Sequence, residues 1–216
     1  MNAIIETNSL RRSFRVRQAG GGLRRYLKPR YNELVALHGL DLRIQKGERV
    51  AFVGPNGAGK STTIKILCGV LYPSSGQASV CGLTPWASRR ALAYKIGVVF
   101  GQRSQLWYHL PAQASFDLLA KVYELDRGVY RKRVAELSER FQIGEFATRP
   151  VRQLSLGQRM RCEIVASLLH QPEVIFLDEP TIGLDVTAKA IIRDLVRELS
   201  EELGTTVLLT SHDTGD

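Results

Sequence analysis

The apolar positions along the chain change their spacing several times, and each change predicts a different element. Short apolar runs ending at turn residues are typical of buried strands, whereas apolar residues three and four positions apart are typical of helices. The short runs predict strands at residues 49–53, 96–100, 174–177 and 205–210. Helical spacing predicts helices at residues 60–68, 157–170 and 186–203. This alternation predicts an α/β fold with a mainly parallel sheet covered on both faces.

The stretch between Gln102 and Ser155 has a different texture. Helical spacing recurs there at residues 115–125 and 129–141, and no strand pattern interrupts it. We interpret residues from about 103 to 155 as an α-helical lobe inserted into a core made of residues 1–102 and 156–216. Near the N-terminus, Gly20, Gly21, Gly22 and the basic residues around them predict an extended loop.

The composition is that of a globular protein able to bury a core. Of the 216 residues, 44% are apolar and 24% are charged, and the length suits a single large domain. No apolar run approaches the roughly 20 residues needed to span a bilayer, and the N-terminus has no signal-peptide pattern. We therefore expect a cytosolic protein that another protein anchors wherever it works at a membrane. The three cysteines lack the spacing of a zinc site or a disulfide framework.

The formal net charge is +9, and part of it is concentrated near the N-terminus. Such a cluster can be a solvated loop, or it can meet an anionic membrane surface, an acidic partner or nucleic acid. We favour the first three over nucleic acid. The eight basic residues of the cluster are Arg11, Arg12, Arg15, Arg17, Arg24, Arg25, Lys28 and Arg30.

A glycine-rich segment between the first predicted strand and helix carries the strongest chemical signal. It fits the phosphate-binding pattern G-x-x-x-x-G-K-[ST] in the required strand-to-helix context. Its glycines let backbone N–H groups face phosphate oxygens, Lys60 supplies a charge to the β- and γ-phosphates, and the Ser61 hydroxyl can bind Mg²⁺. The segment reads Gly54-Pro55-Asn56-Gly57-Ala58-Gly59-Lys60-Ser61-Thr62.

Two neighbouring acids end the predicted strand at residues 174–177. An acid at the tip of a strand buried on both faces is costly unless it has a partner or a function. Asp178 is placed to hold Mg²⁺ or its water, and Glu179 to orient the attacking water. With the phosphate-binding segment, this pair predicts an ATPase.

Further motifs make the sequence resemble the nucleotide-binding domain of ABC transporters from about residue 4 to residue 216. Leu154-Ser155-Leu156-Gly157-Gln158 resembles the signature motif of ABC ATPases. It lies between Gln102 and the Asp178-Glu179 pair, and Gly183-Leu184-Asp185 and His212 follow in the order typical of the family. Residues 100–107 and 151–161 resemble a bacterial subgroup paired with ABC-2-type permeases.

The resemblance implies a P-loop NTPase core of the RecA-like kind with an N-terminal antiparallel β portion. It also implies roles for residues outside the phosphate-binding segment. Gln102 would sense Mg²⁺ and the attacking water. Ser155, Gly157 and the adjoining Gln158 would bind the γ-phosphate of ATP held by a second copy. Asp185 would communicate across that dimer, and His212 would contact the γ-phosphate during hydrolysis.

Three features depart from the family pattern. An aromatic residue usually stacks on adenine; Phe14 fits this role best and Tyr31 is the alternative. Leu156 stands where glycine is common in the signature. The sequence stops four residues after His212, whereas family members usually continue with more strands and helices, so we expect a C-terminal truncation.

The favoured interpretation is a transporter motor that uses ATP and Mg²⁺. The motor would form a homodimer or a heterodimer around two ATP molecules, docked on a permease at the inner face of the cell membrane, with export favoured over import. The aromatic cluster Leu106-Trp107-Tyr108 is either part of the docking surface or core. The main alternative is a soluble ABC ATPase acting on ribosomes or nucleic acid, and the third is a binding module without turnover.

Overall fold

The computed structural model describes residues 3–17, 31–101 and 103–212. In these parts of the chain, strands form a three-stranded antiparallel sheet of order β2-β1-β4 and a four-stranded parallel sheet of order β3-β7-β6-β5. The strands are β1 Ile5–Arg17, β2 Tyr31–Ile44, β3 Arg49–Val53, β4 Ser75–Val80, β5 Ile96–Phe100, β6 Val174–Asp178 and β7 Thr206–Ser211. The predicted α/β fold with a parallel core and an N-terminal antiparallel portion is confirmed.

Six α-helices and one 3-10 turn lie in the described residues. The predicted helices are all present, although their ends differ by up to three residues. The α3 helix begins after Pro111 rather than at Ser115, and α4 begins where the Asp126 carboxylate accepts hydrogen bonds from the N–H groups of Gly128 and Val129. The helices are α1 Lys60–Leu67, α2 Arg89–Ala93, α3 Ala112–Val122, α4 Arg127–Arg140, α5 Leu156–Leu168 and α6 Val186–Glu201, and the 3-10 turn is Val151–Gln153.

The side chains of β6 alternate between two hydrophobic cores. Ile175 and Leu177 belong to the core formed with α5, α6 and the segment that carries α3 and α4. Val174 and Phe176 belong to the core on the opposite side of the sheet, formed with α1 and the antiparallel sheet. A strand covered on both faces has no polar side, which explains the continuous apolar run in the sequence.

The register of the parallel sheet brings several strand ends together. Phe100 of β5 lies opposite Asp178 of β6, and Asp178 lies opposite Thr210 of β7. Val53, the last residue of β3, lies opposite Ser211. Since the strands are parallel, the segments that follow them leave from one edge of the sheet, where ligands of α/β proteins usually bind.

The antiparallel sheet contains a long β1–β2 pair that extends into residues where the sequence predicted a loop. β1 and β2 pair from Ile5 opposite Ile44 to Arg17 opposite Tyr31. The predicted loop around the basic cluster is therefore wrong for its four described members, Arg11, Arg12, Arg15 and Arg17, which are on β1. Most side chains in the outer half of this pair are solvent-exposed, so no apolar alternation marks it as a strand.

The rest of that predicted loop, including Gly20, Gly21 and Gly22, lies outside the described residues. So do four of the eight basic residues of the cluster. These are Arg24, Arg25, Lys28 and Arg30.

His170 lies between β5 and the end of α3, and its ring contacts residues of both regions. Its ring stacks on Tyr123, with 3.9 Å between ring centroids and 7° between ring planes. Nε2 lies 2.9 Å from the carbonyl oxygen of Ile96, to which it donates. The buried Nδ1 has no hydrogen-bond partner in the described structure. Burial lowers the pKa of His170, because the charged ring would lose hydration.

We expect the protein to lose stability as the pH falls through the usual histidine range, because protonation of His170 is easier in the unfolded chain. Replacing His170 by Gln removes this titration but keeps a donor for Ile96. Urea unfolding gives the free energy of unfolding of both proteins. The wild-type value minus the His170→Gln value should be smaller at about pH 5.5 than at about pH 8. His109→Gln, at an exposed position, is the control. A relative stability that does not change with pH would contradict the assignment.

Candidate nucleotide-binding site

The glycine-rich segment forms a compact loop between β3 and α1. Lys60 is buried, and its Nζ donates to the carbonyl oxygens of Gly54 at 2.6 Å and of Pro55 at 3.1 Å. These bonds hold the loop over the first turn of α1, so the Lys60 ammonium group lies against the backbone of the loop. A glycine-rich loop at a helix N-terminus, with a lysine ammonium group against its backbone, suits a polyphosphate.

Gly59 is required by both its backbone angle and its surroundings. Its φ of 89° lies in the left-handed region, and a Cβ there would stand 2.4 Å from the carbonyl oxygen of Ala36 on β2. The loop therefore packs directly against the antiparallel sheet. Any side chain at position 59 would push these two parts of the site apart.

Asp178 connects the loop to the parallel sheet. Its Oδ1 accepts a hydrogen bond from Ser61 Oγ at 2.9 Å and a second from Thr210 Oγ1 at 2.7 Å. A hydroxyl and a carboxylate therefore meet beside the loop. Oxygen donors of this kind are those that Mg²⁺ prefers, so the residues present fit this ion.

Glu179 has a special backbone conformation that turns it away from the strand. Its φ is 55°, which is rare for a residue with a side chain. The Glu179 N–H is shared between the hydroxyl oxygen of Thr210 at 3.0 Å and the Thr210 carbonyl oxygen at 3.2 Å. These contacts hold the residue where its side chain reaches the same space as Asp178.

A cleft of about 660 Å³ contains both the loop and the two acids. Phe14 lines it, whereas Tyr31 does not, because Tyr31 lies opposite Arg17 at the outer end of the β1–β2 pair. The Arg12 guanidinium lies over the Phe14 ring, 4.6 Å from its centroid. From the predicted site, the cleft is lined by Phe14, Asn56, Gly57, Ala58, Gly59, Lys60, Ser61, Thr62, Asp178 and Glu179.

Several residues that line the cleft or support it were not singled out from the sequence. Lys65 and Arg103 add positive charge to the lining, and Leu34 adds an apolar surface. Thr210 supports both acids. The helical position of Lys65, one turn beyond Ser61, is a signal that could have revealed it. Thr210 is recognisable only from the pairing of β6 with β7.

Among the described residues, the other members of the predicted site do not line this cleft; they are Gly54, Pro55, Ser155, Gly157, Gln158, Asp185 and His212. The Ser155 hydroxyl accepts from the Gln158 N–H, and the Gln158 side chain accepts from the Ser155 N–H, so both residues cap α5. Asp185 caps α6 by accepting from the Ala188 N–H. A Cβ on Gly157 would lie 3.0 Å from the Cβ of Ala188, so the starts of α5 and α6 are in contact.

His212 and Gln102 complete the set of predicted residues. His212 is exposed and follows β7 directly. The preceding residue, Ser211, accepts a hydrogen bond of 3.3 Å from the Gly54 N–H, which puts His212 beside the start of the loop. Gln102 lies outside the described residues.

The aromatic cluster predicted as either a docking surface or core is partly buried and partly exposed. Leu106 is buried in the core next to α3 and α5, with 4% of its surface exposed. Trp107 is 47% exposed and Tyr108 is 55% exposed. Leu106 is therefore core, whereas the docking role of Trp107 and Tyr108 stays a prediction.

Comparison with known proteins identifies the family. Residues 37–182 match the family of ABC transporters. The chain belongs to the ABC transporter family. None of the helices in the described parts of this ABC cassette has the length and apolar composition that crossing a bilayer requires.

Named relatives and a solved structure agree with this. The daunorubicin resistance ATP-binding protein DrrA3 of Streptomyces coeruleorubidus is 41% identical over 84% of this chain. The Nod factor export ATP-binding protein I of Ralstonia nicotianae is 36% identical over 86% of it. The chain spans 57% of the length of each of these relatives.

The ATP-binding cassette MJ0796, solved as a dimer in a post-hydrolysis state bound to ADP and Pi, is a structural neighbour. It superposes with a TM-score of 0.79 at 29% identity, covering 98% of this chain and 89% of its own. The fold described above is therefore that of an ABC ATPase cassette.

Gly101 provides a test of how closely the two strand ends must approach. Its N–H donates to the Asp178 carbonyl oxygen at 2.8 Å. A Cβ there would stand 2.4 Å from the Glu179 carbonyl oxygen and 2.9 Å from that of Asp178. We expect Gly101→Ala to displace both acids and to lower the free energy of unfolding by about 1–3 kcal/mol. ATP turnover should fall as well, because both acids line the cleft.

Chemical denaturation and phosphate release would measure these two effects. Gly144→Ala is the matched control, because a Cβ on Gly144 meets nothing within 4 Å. Normal turnover in Gly101→Ala would show that the acids do not depend on this contact.

Proposed function

We propose that this ABC cassette binds ATP with Mg²⁺ in the cleft, hydrolyses the ATP, and works as the ATP-binding subunit of a membrane transporter. The observation that supports this most strongly is the convergence of three features on one cleft. The Lys60 ammonium group lies inside the loop, the Ser61 hydroxyl meets the Asp178 carboxylate, and Glu179 lines the same space.

Each group has a separate part in the proposed reaction. Lys60 exchanges its bonds to the loop carbonyls for the β- and γ-phosphates. Ser61 and Asp178 hold Mg²⁺, which when bound neutralises charge on the phosphates. Glu179 accepts a proton from the water that attacks the γ-phosphate. We propose that Gln102 and His212 assist at the γ-phosphate, as in the family that the chain belongs to.

We further propose that two copies enclose two ATP molecules. Ser155, Gly157, Gln158 and Asp185 do not line the cleft of their own chain, and the starts of α5 and α6 present them together. A helix N-terminus is a favourable place for an anion. In this proposal they bind the ATP held by the other copy. The solved dimer of MJ0796 supports such an arrangement in the family.

The partner that the dimer would drive is an integral membrane permease, and we propose one of the ABC-2 type at the inner face of the cell membrane. Exposed Trp107 and Tyr108 supply apolar surface for docking. We propose that residues 103–155 act as one lobe that carries this surface. The name of the Nod factor export relative supports export. The same name favours a transporter over a ribosomal or nucleic-acid ATPase.

Substitutions of Lys60 and Glu179 separate binding from chemistry. We expect Lys60→Ala to weaken Mg-ATP binding by about 10- to 100-fold, because a charged hydrogen-bonding partner of the phosphates is lost. We expect Glu179→Gln to retain binding while hydrolysis slows by about 10²- to 10⁴-fold, because the base is lost. Isothermal calorimetry and phosphate release measure the two quantities.

Lys132→Ala and Glu139→Gln are matched controls on the exposed side of α4. Wild-type turnover in the Glu179→Gln protein would remove the catalytic assignment. Absence of Mg-ATP binding by the wild type would remove the whole proposal.

The base-stacking residue can be identified by a pair of substitutions. We expect Phe14→Leu to weaken ATP binding by about 5- to 100-fold, since stacking of a base on an aromatic ring contributes about 1–3 kcal/mol. Tyr31→Leu should leave binding unchanged, because Tyr31 does not line the cleft. Binding of tripolyphosphate, which has no base, should be the same in both variants. A larger effect at Tyr31 would reverse the assignment.

A further inference from the structure

Glu163 is a buried carboxylate for which the cleft chemistry has no use. It lies on α5 with 4% of its surface exposed. Its Oε1 accepts a hydrogen bond from Ser104 Oγ, and its Oε2 accepts one of 3.2 Å from the Gln105 N–H. In addition, Gln105 Nε2 donates to the Glu163 carbonyl oxygen at 3.1 Å. Glu163 therefore forms hydrogen bonds with two consecutive residues of a neighbouring segment, Ser104 and Gln105.

Burial of a carboxylate is costly, and these bonds offset only part of the cost. Loss of hydration raises the pKa of Glu163 in spite of the hydrogen bonds, which act in the opposite direction. An apolar side chain would fill the same space without this penalty. A buried acid at this position is therefore better explained by what it holds than by its contribution to stability.

The segment that Glu163 holds runs from the cleft to the exposed aromatic residues. Residues 103–110 begin at Arg103, which lines the cleft and whose N–H donates to the Phe100 carbonyl oxygen at 3.0 Å. Ser104 and Gln105, the two residues bound to Glu163, come next. Trp107 follows, with its N–H donating to Ser115 Oγ at 3.0 Å.

The far end of the segment is bound to the chain that leads into α5. The Arg152 N–H donates to the Tyr108 carbonyl oxygen at 2.9 Å, and the Val151 N–H donates to that of Leu110 at 3.0 Å. Ser155, the N-cap of α5, follows three residues after Arg152. Residues 103–110 are therefore bound to α5 through Glu163 and to the entrance of α5 through backbone pairing.

We propose that Glu163 is a positioning residue that joins residues 103–110 to α5, so that a displacement at Arg103 in the cleft moves Ser155 with it. The inference rests on the proposed function, in which Ser155 binds the nucleotide of the second copy. Glu163 itself does not line the cleft. Its loss should therefore spare nucleotide binding by one copy and impair the assembly of two.

Three substitutions test this connection. Glu163→Gln keeps the size and can still accept from Ser104, but its amide nitrogen cannot accept from the Gln105 N–H. Glu163→Met fills the space and removes both acceptors. Ser104→Ala removes the exposed partner of the pair, so it should fold even if the core of a Glu163 variant does not. Glu139→Gln, on the exposed side of α4, is the control.

Each substitution is placed in the Glu179→Gln protein, where ATP should persist. Mg-ATP binding is measured by calorimetry, and ATP-dependent dimerisation by sedimentation velocity over a protein concentration series. We expect nucleotide affinity to stay within about twofold of that of the Glu179→Gln parent, because Glu163 and Ser104 do not line the cleft. The dimer dissociation constant should rise about tenfold in Glu163→Met and Ser104→Ala, and less in Glu163→Gln. The Ser104→Ala/Glu163→Met double variant should be no worse than Glu163→Met.

The results distinguish the inference from the function on which it rests. If the Glu179→Gln parent dimerises with ATP and the Ser104→Ala and Glu163→Gln variants dimerise equally well, the positioning role is overturned and the proposed function stands. If the parent neither binds ATP nor dimerises, both fall. Loss of nucleotide affinity in step with dimerisation would also overturn the inference, because it would place the effect in the cleft.

Discussion

One carboxylate oxygen, Oδ1 of Asp178, holds together the parts of the chain that form the cleft. It accepts one hydrogen bond from Ser61 on α1 and another from Thr210 on β7. The three residues are far apart in sequence, so this atom fixes the helix, the acidic strand and its neighbour relative to one another. An acid at the end of a strand buried on both faces needs such donors, because an unpaired charge there is costly.

The same strand ends also carry backbone strain. Glu179 has a φ of 55°, a conformation that costs about 1–3 kcal/mol for such a residue. Two acceptors on Thr210 hold its N–H, and its carbonyl oxygen lies so close to Gly101 that a Cβ at position 101 would stand 2.4 Å from it. The conformation that places Glu179 at the cleft therefore lowers the stability of the fold. Such strained residues are common at functional sites.

Only some of the predicted site residues line the cleft. Ser155 and Asp185 serve their own chain as helix caps, and their neighbours bring the starts of α5 and α6 into contact. Helix N-termini need acceptors inside a single chain and attract anions from outside it. The same surface is thus suited to both tasks, and Glu163 and the segment from Arg103 to Leu110 connect it with the cleft.

The sequence by itself determined the parts of this protein that depend on local chemistry. The loop from Gly54 to Thr62, the apolar β6 run and its two acids follow from backbone freedom, burial and charge, which are visible in short stretches. Only the tertiary structure decided which groups meet. Thr210 beside Asp178, Ser104 beside Glu163, and Phe14 rather than Tyr31 at the cleft depend on strand register and helix packing. These pair residues that are distant in the chain, and no local pattern records such pairs.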